Sequence, residues 1–572
     1  MCAAQHLHIN FPSCELEAAI DGGRESVRRT VAAETEGGDE GEGDEVRGGS
    51  TVAGAARDEA AQRPVAWLGL FACAASIALL AMQALAARRL ELTFDEAYYT
   101  HWSRSLSFGY LDHPPMVALL IRASTSLFGG SELGVRALSL LVVGAMPGLV
   151  AFIAWRLFDS REKAALAALM WVAMPLVSIG ALFVTPDAPL VVFWTLSLAA
   201  LVELWRTGDR RWLIALGVAL GLALQSKFTA AFFVGGLGLA LLATPSLRRW
   251  LLSPALYAGF AVALLIFAPF IVWNAEHGWA TFAKQLGRAP PHGFAPYYLA
   301  EFLVAQIGLI NPLVVAALVP AVWSIPWRAP VSPRSRDEAR RILICTVAPA
   351  ALYFLLHSLH DRVQGNWLAP LYPAVALLAA DWIAEVRRAG GSAVAVAIAK
   401  AALWAAPVGI VIAALAFAEI TTGEVPLGAA DPFARLQGFR ALTRALDLKA
   451  RAEKAGYVLT QGYALASLLT YYGDPALPVV QPEQRMRWIF EPQPPERMFA
   501  APGLALGEPG RHFDLILKMR YRDVEPAGLL QRRQPGGELE AYELYRVADP
   551  YAPVLDPVCP RGEVDLQRQC PP

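Results

Sequence analysis

Asp95 and Glu96 stand side by side in Leu92-Thr93-Phe94-Asp95-Glu96-Ala97-Tyr98-Tyr99, just after an apolar stretch from Val65 to Ala87. A positioned carboxylate can take a proton in a transition state. Four further segments place ionisable groups at tight turns or between apolar runs: Asp112-His113-Pro114-Pro115, Thr185-Pro186-Asp187, Gln225-Ser226-Lys227-Phe228 and His360-Asp361-Arg362. The fork of Arg362 suits phosphate oxygens. Lys227 is an ionisable group between apolar helices, which marks a functional candidate, and its fitting partner is a lipid-linked phosphate. His113 can carry charge near neutral pH and pair with a phosphate or a carboxylate. Each segment also has a bland reading. Acidic residues suit a helix start, Asp187 suits an N-cap with Pro189 in the first turn, and Lys227 can snorkel to an interface. Asp361 and Arg362 can be a structural ion pair, and Asp-His-Pro-Pro can be a turn. Asn274, Glu276, His277 and Gln306 are weaker candidates of the same kind.

The elements that must position these groups are apolar helices. The chain has 572 residues, 55% hydrophobic and 17% charged, against about 25% charged in soluble domains, and its mean hydropathy is +0.39. Apolar runs of spanning length fall at about 66–86, 134–154, 164–183, 188–205, 212–225, 229–243, 253–273, 300–322, 342–359, 367–385 and 394–418. That pattern predicts a polytopic α-helical membrane protein with about 11 transmembrane helices. The net charge of −1 gives no global attraction to nucleic acid, so the bilayer is the expected partner.

Loops rich in Arg and Lys mark the cytoplasmic side. Arg156 to Lys163, Arg206 to Arg211, Arg248-Arg249, Arg328 to Arg341 and Arg387-Arg388 each follow an even-numbered span. The N-terminus is then expected inside and the C-terminus outside; Arg88-Arg89 runs against this and is outweighed by five loops. On this map every candidate group faces the outer side. In the first outer loop, 88–132, Tyr99, Trp102 and Leu106 recur at helical spacing, which predicts a helix lying in the membrane interface. The Pro114-Pro115 pair starts a second surface helix, Met116 to Phe128.

Residues 1–62 hold Glu, Gly and Asp runs with few large apolar groups and are expected to be a disordered cytoplasmic tail. Residues 63–420 form the membrane domain and 421–572 a small C-terminal α/β domain with a Pro-rich tail. In that domain Tyr457-Val458-Leu459-Thr460, Asp514 to Lys518 and Glu540 to Tyr545 read as strands, and Ala464 to Tyr472 as a helix stopped by Gly473. Cys73 and Cys345 read as small core residues. Cys559 and Cys570 could pair if the tail lies outside the cytoplasm. No metal-ligand spacing appears.

Five segments occur in order: Phe94-Asp95-Glu96-Ala97-Tyr98-Tyr99, Tyr110-Leu111-Asp112-His113-Pro114-Pro115, Thr185-Pro186-Asp187, Ser226-Lys227-Phe228-Thr229 and Val363-Gln364-Gly365-Asn366-Trp367. Together they resemble the bacterial branch of the protein O-mannosyltransferase-like membrane glycosyltransferases. That group is of GT-C type, with the lipid A aminoarabinose transferase and the lipopolysaccharide galacturonosyltransferases among its relatives. The resemblance implies an inverting glycosyltransferase of the inner membrane, with its site on the periplasmic face and a polyprenyl-phosphate-linked sugar as donor. The acceptor is expected to be lipid A, lipopolysaccharide core, another envelope glycan or a protein. By resemblance Asp95 is the catalytic acidic residue with Glu96 beside it, and Asp112 is the second acidic position of the loop. Where the aminoarabinose transferases show Lys-Pro-Pro, this chain departs with His113-Pro114-Pro115. The mechanism expected is direct displacement with Asp95 as base. Glu96 or Asp187 would orient hydroxyls, and Lys227, Arg362 and His113 would hold the phosphate. No cofactor is required by the sequence, and carboxylates could bind a divalent metal. A transporter or flippase of a lipid-linked sugar is the alternative. Transporters usually place charged sites near the midplane in broken helices and often carry internal repeats, whereas the acids here lie at span ends.

Overall fold

The computed structural model describes residues 49–287, 293–327, 331–422, 433, 436–534 and 537–558. The expected tail up to residue 48, and Cys559 and Cys570, lie outside them. The first helix, α1 (Gly49–Arg89), begins earlier than expected. The run Ala-Gly-Ala-Ala-Arg-Asp-Glu-Ala-Ala-Gln-Arg has enough alanine to favour a helix despite its polarity.

Seven helical segments among the described residues are long and apolar enough to cross a membrane: Ala66–Arg89, Glu132–Phe158, Asp187–Thr207, Pro254–Glu276, Arg336–His357, Gly365–Ala389 and Ala393–Thr422. Two expected spans are broken. Arg161–Val172 meets Pro175–Leu182 at 70°, and Tyr297–Ile310 meets Pro312–Trp323 at 105°, which raises the count to nine if each is one span. Proline opens the second half of each, where it removes a backbone donor and ends the preceding helix. The remaining two, Arg211–Ser226 and Phe228–Ala243, are shorter apolar helices. The two breaks meet at one side chain. Asn311, at φ +85°, caps its own helix through Leu313 N–H and donates to the carbonyls of Ala173 and Ala405, both at 3.1 Å. Many large apolar side chains stay exposed on the spans, among them Leu70, Ile77, Leu265 and Leu415, as expected where lipid is the solvent. Cys345 is buried, but Cys73 is exposed on the first span, because the outward stripe of a spanning helix needs only to be apolar.

The cationic loops gather into one network. Arg156 pairs with Glu203, Arg206 reaches the Arg156 carbonyl, Trp205 donates to Glu338, and Lys163 and Arg336 share the buried Asp381. The helix Asp187–Thr207 has 21 residues, about 30 Å at ~1.5 Å per residue, and runs from Asp187 to this network. The candidate groups and the cationic loops are therefore at opposite ends of the helices.

Between the first two spans lie α2 (Phe94–Arg104) and α3 (Met116–Phe128), followed by α4 (Glu132–Gly144). The buried face of α2 carries Tyr98, Tyr99 and Trp102, which join Tyr110, Ala466, Leu468 and Trp488 in one apolar cluster. The aromatics of this helix pack against the C-terminal domain. That domain holds a five-stranded mixed sheet of β1 (Val458–Thr460), β2 (Val479–Val480), β3 (Gly503–Gly507), β4 (Tyr521–Gln534) and β5 (Gly537–Pro550), in the order β2-β1-β3-β5-β4. The first three strands run parallel and the last two are added antiparallel. The helix predicted before Gly473 is present as Tyr463–Tyr472. The segment Asp514 to Lys518 is a helix, Phe513–Lys518, not a strand; its two buried side chains, Phe513 and Leu517, are four apart, a helical rather than a strand period.

Candidate active site

The bland cap at α2 exists, and it belongs to Thr93 and Glu96. The Thr93 hydroxyl accepts the Glu96 N–H, and the Glu96 carboxylate accepts the Thr93 N–H at 3.0 Å, a reciprocal capping box. Glu96 does more than cap. Arg136 of α4 donates to both its oxygens at 2.7 Å, and the Val184 N–H donates to Oε1 at 3.0 Å. Glu96 and Arg136 side chains are both fully buried. The carboxylate bolts α2 to α4 and to the turn that carries Thr185-Pro186-Asp187.

Asp95 is left for other work. It is half-buried, with the Tyr463 hydroxyl donating to Oδ1 at 3.2 Å. Burial pushes its carboxyl up to about 6; Tyr463 and Arg487 oppose the shift, and Asp112 and Glu96 add to it. An acid placed there changes charge near neutral pH.

Asp112 lies beside it in a different electrostatic state. The Arg487 guanidinium donates to Oδ2 at 2.8 Å, Lys284 Nζ stands 2.8 Å from Oδ1, and the Tyr98 hydroxyl reaches Oδ2 at 3.2 Å. Burial works against the charge, but the two cations win and hold Asp112 well below the usual carboxylate range. The loop is fixed from below by the helix Ala280–Leu286, where Thr281 donates to the Tyr110 carbonyl and Gln285 to that of Asp112. Gly109 lets the loop pass over Trp273, where a Cβ would collide with the indole ring. The His113 ring meets Tyr99 edge-on at 6.3 Å.

The second centre is Asp187. No side-chain cap bond is made at the start of its helix; instead its carboxylate accepts Lys227 Nζ and Asn366 Nδ2, each at 2.7 Å. Lys227 is placed by the end of Arg211–Ser226, whose backbone turns extended at φ −162° and ψ 144°. Asp187 and Asn366 also line a cavity whose other walls are mostly apolar, including Trp171, Leu176, Phe183 and Val191. Tyr99 ties the two centres together: burial and the charges of Asp95, Asp112 and Asp187 all push its phenol well up.

Arg362 does not join them. Its guanidinium pairs with Glu301, with Nε at 2.6 Å, because the 3-10 turn beginning at Gly365 points Asn366 rather than Arg362 toward Asp187. The weaker candidates hold structure: Asn274 accepts the Thr281 N–H, His277 stacks on Trp273, and Gln306 bridges Tyr372 and the Gly365 carbonyl. Among the described residues no group of three or more His, Cys, Asp or Glu side chains could hold a metal ion. The sequence reading missed Lys284, Tyr463 and Arg487. Lysine is scarce in this chain, and that scarcity is the signal that could have found Lys284. Nothing local marks Tyr463 or Arg487, which lie hundreds of residues from their partners.

Residues 112–273 match the family described as dolichyl-phosphate-mannose-protein mannosyltransferase. The lipid A galacturonosyltransferase RgtD of Rhizobium johnstonii is 28% identical over 288 residues, which cover 50% of this chain and 59% of that relative. The match thus spans less than two thirds of the relative's own length. The crystal structure of ArnT from Cupriavidus metallidurans bound to undecaprenyl phosphate shares the fold. Its TM-score is 0.58 at 20% identity, over 86% of this chain and 99% of ArnT. The apo state of the same protein superposes with a TM-score of 0.57 at 17% identity. The chain is thus similar to RgtD over half of its length and shares the fold of ArnT.

Proposed function

We propose that the protein transfers a sugar from a polyprenyl-phosphate-linked donor to a lipid acceptor of the bacterial envelope. The site would lie on the periplasmic face of the inner membrane. The observation that carries this reading is the pairing of Asp95, an acid raised to about 6, with a lysine–carboxylate centre whose Asp187 lines an apolar cavity. The first suits a base at neutral pH, and the second suits a phosphate attached to an isoprenoid. The galacturonosyl transfer to lipid A for which RgtD is named, and the undecaprenyl phosphate bound to ArnT, are of the same kind. A flippase reading has no such support, since the acids stand at helix ends and not at the middle of spans.

In the proposed step the acceptor hydroxyl attacks C1 of the sugar from the face opposite the phosphate. The new C–O bond forms as the bond from C1 to the phosphate oxygen breaks, and the polyprenyl phosphate leaves with that electron pair. Asp95 takes the hydroxyl proton, and the configuration at C1 inverts. Lys227 holds the charge that grows on the phosphate, exchanging its bond to Asp187 for one to the donor. Asp187 and Asn366 then face the sugar hydroxyls, and His113 stands close enough to Tyr99 to border the same space. Glu96 positions the two centres and does not react. The step calls on no cofactor.

The test is transfer from a panel of radiolabelled polyprenyl-phosphate sugars to lipid A in membranes carrying the full chain. Asp95→Asn should lose roughly 10²–10⁴ in turnover, and wild-type turnover should rise with pH through about 6. Full activity in the Asn variant would exclude Asp95 as the base.

A further inference from the structure

The C-terminal domain sends two side chains into this site. Tyr463 opens its helix after Gly462, at φ +66°, and its hydroxyl donates to Asp95. Arg487 sits in the 3-10 turn Arg485–Trp488, with its guanidinium 4.2 Å over the Tyr463 ring and bonded to Asp112. Gln484 accepts its Nε at 2.9 Å, and the Arg487 carbonyl accepts the Tyr98 hydroxyl at 3.2 Å. The side chain is 8% exposed. We propose that the C-terminal domain completes the reaction centre, with Arg487 as a positioning residue that holds the Asp95 carboxylate in its basic form while Tyr463 aims it. This rests on the reading of Asp95 as the base.

The charges around Asp95 support the assignment. On its own helix Glu96 is neutralised by Arg136 from α4, and Tyr98 and Tyr99 are neutral phenols raised by burial. From the helix ends of the spans, Asp187 is neutralised by Lys227. From the loop before α3 comes Asp112, with His113 next to it; from Ala280–Leu286 comes Lys284; from the C-terminal domain come Tyr463 and Arg487. Asp112 thus carries two cations for one carboxylate. Of the Asp112 and Arg487 pair, the Asp112 charge raises Asp95 and the Arg487 charge lowers it. Deleting Arg487 removes the charge that lowers Asp95, while Lys284 keeps Asp112 ionised, so the anion that raises Asp95 stays in place. The predicted change is a rise in the pH at which Asp95 ionises.

The direction of that shift separates this role from a merely structural one. If Arg487 only docks the domain, its loss lets water reach Asp95, and the midpoint falls toward the ordinary 3.8. The experiment uses the full chain in lipid nanodiscs. The rate of Asp95 modification by a water-soluble carbodiimide with glycine ethyl ester is read by peptide mass spectrometry from about pH 4 to about pH 8. Wild type should show a midpoint near 6. Arg487→Gln should move it up by about one unit, Arg487→Lys should lie between the two, and Tyr463→Phe should also move it up. An unchanged or lowered midpoint in Arg487→Gln or in Tyr463→Phe overturns the proposal. The labelling needs no substrate, so it is independent of the base assignment. That assignment fails separately, if Asp95→Asn keeps its turnover.

Discussion

Removing Glu96 should cost more than removing Glu96 and Arg136 together. Both side chains are fully buried, and Arg136 grips the carboxylate through two bonds of 2.7 Å. In Glu96→Leu the guanidinium stays buried among the carbonyls of Ala87, Leu90 and Glu91, at 3.2, 2.8 and 3.0 Å. These accept its protons but carry no counter-charge. Breaking a buried pair from one side costs about 3–5 kcal/mol, and the three carbonyls argue for the lower end. Arg136→Met leaves a carboxylate with the Thr93 and Val184 N–H groups and should cost a similar amount. Replacing both by apolar residues removes the stranded charge, and such swaps are often close to neutral. The coupling in the double-mutant cycle should therefore exceed about 2 kcal/mol. Unfolding free energies from dodecyl sulfate titrations in mixed micelles measure it. A double variant as unstable as the sum of the singles would refute the pair as the bolt of this site. Full stability with lost turnover in Glu96→Gln would return Glu96 to the chemistry and refute its positioning role.

Lys227→Ala should raise the KM for the polyprenyl-phosphate donor at least about tenfold, the scale of a lost charge-assisted contact, with a smaller effect on the acceptor. A change confined to the acceptor would refute the phosphate role. Gly217→Ala should destabilise the membrane domain by about 1–3 kcal/mol, read from the same titrations. Its Cβ would land on the Gly259 carbonyl, where Arg211–Ser226 and Pro254–Glu276 pack backbone to backbone. Acidification should act through Asp112. Its folded-state value lies below its unfolded one, so its contribution is present above about pH 4 and is lost as pH falls below that. Asp95 has the opposite sign: its raised value means that stability declines as pH rises from 3.8 to about 6.

The spans were legible because a bilayer imposes one requirement, length of apolar chain, that a single sequence satisfies or does not. The bends were partly legible too, since Pro175 and Pro312 mark them, but their angles depend on Asn311 joining two distant carbonyls. In the site, Asp95, Asp112, Asp187 and Lys227 stood out because a charge beside an apolar run has no local excuse. Arg362 stood out for the same reason and proved to be paired with Glu301. A charge pattern says that a partner is needed and not which one. Asn366 is uncharged, so nothing local ranks it above the cation four residues earlier. Tyr463 and Arg487 were illegible, because their meaning is set wholly by the docking of α2 under the C-terminal domain.

The placement of Glu96 explains why two adjacent carboxylates have unequal fates. Consecutive residues on a helix point about 100° apart, so only one of the pair can face α4. The capping box fixes which: Glu96 occupies the third helical position, turns back on Thr93 and meets Arg136. Asp95 is thereby turned toward Tyr463 and the space between the two charged centres. Exchanging the two residues, Asp95→Glu with Glu96→Asp, keeps composition and net charge. It shortens the carboxylate that must span Arg136, Thr93 and Val184 and lengthens the one that must stay beside Tyr463. That exchange should lose both stability and turnover, whereas Asp95→Glu alone should lose turnover with stability held. Equal stability of the two variants would show that the helix start tolerates either acid, and that the geometry of Glu96 does not set the aim of Asp95.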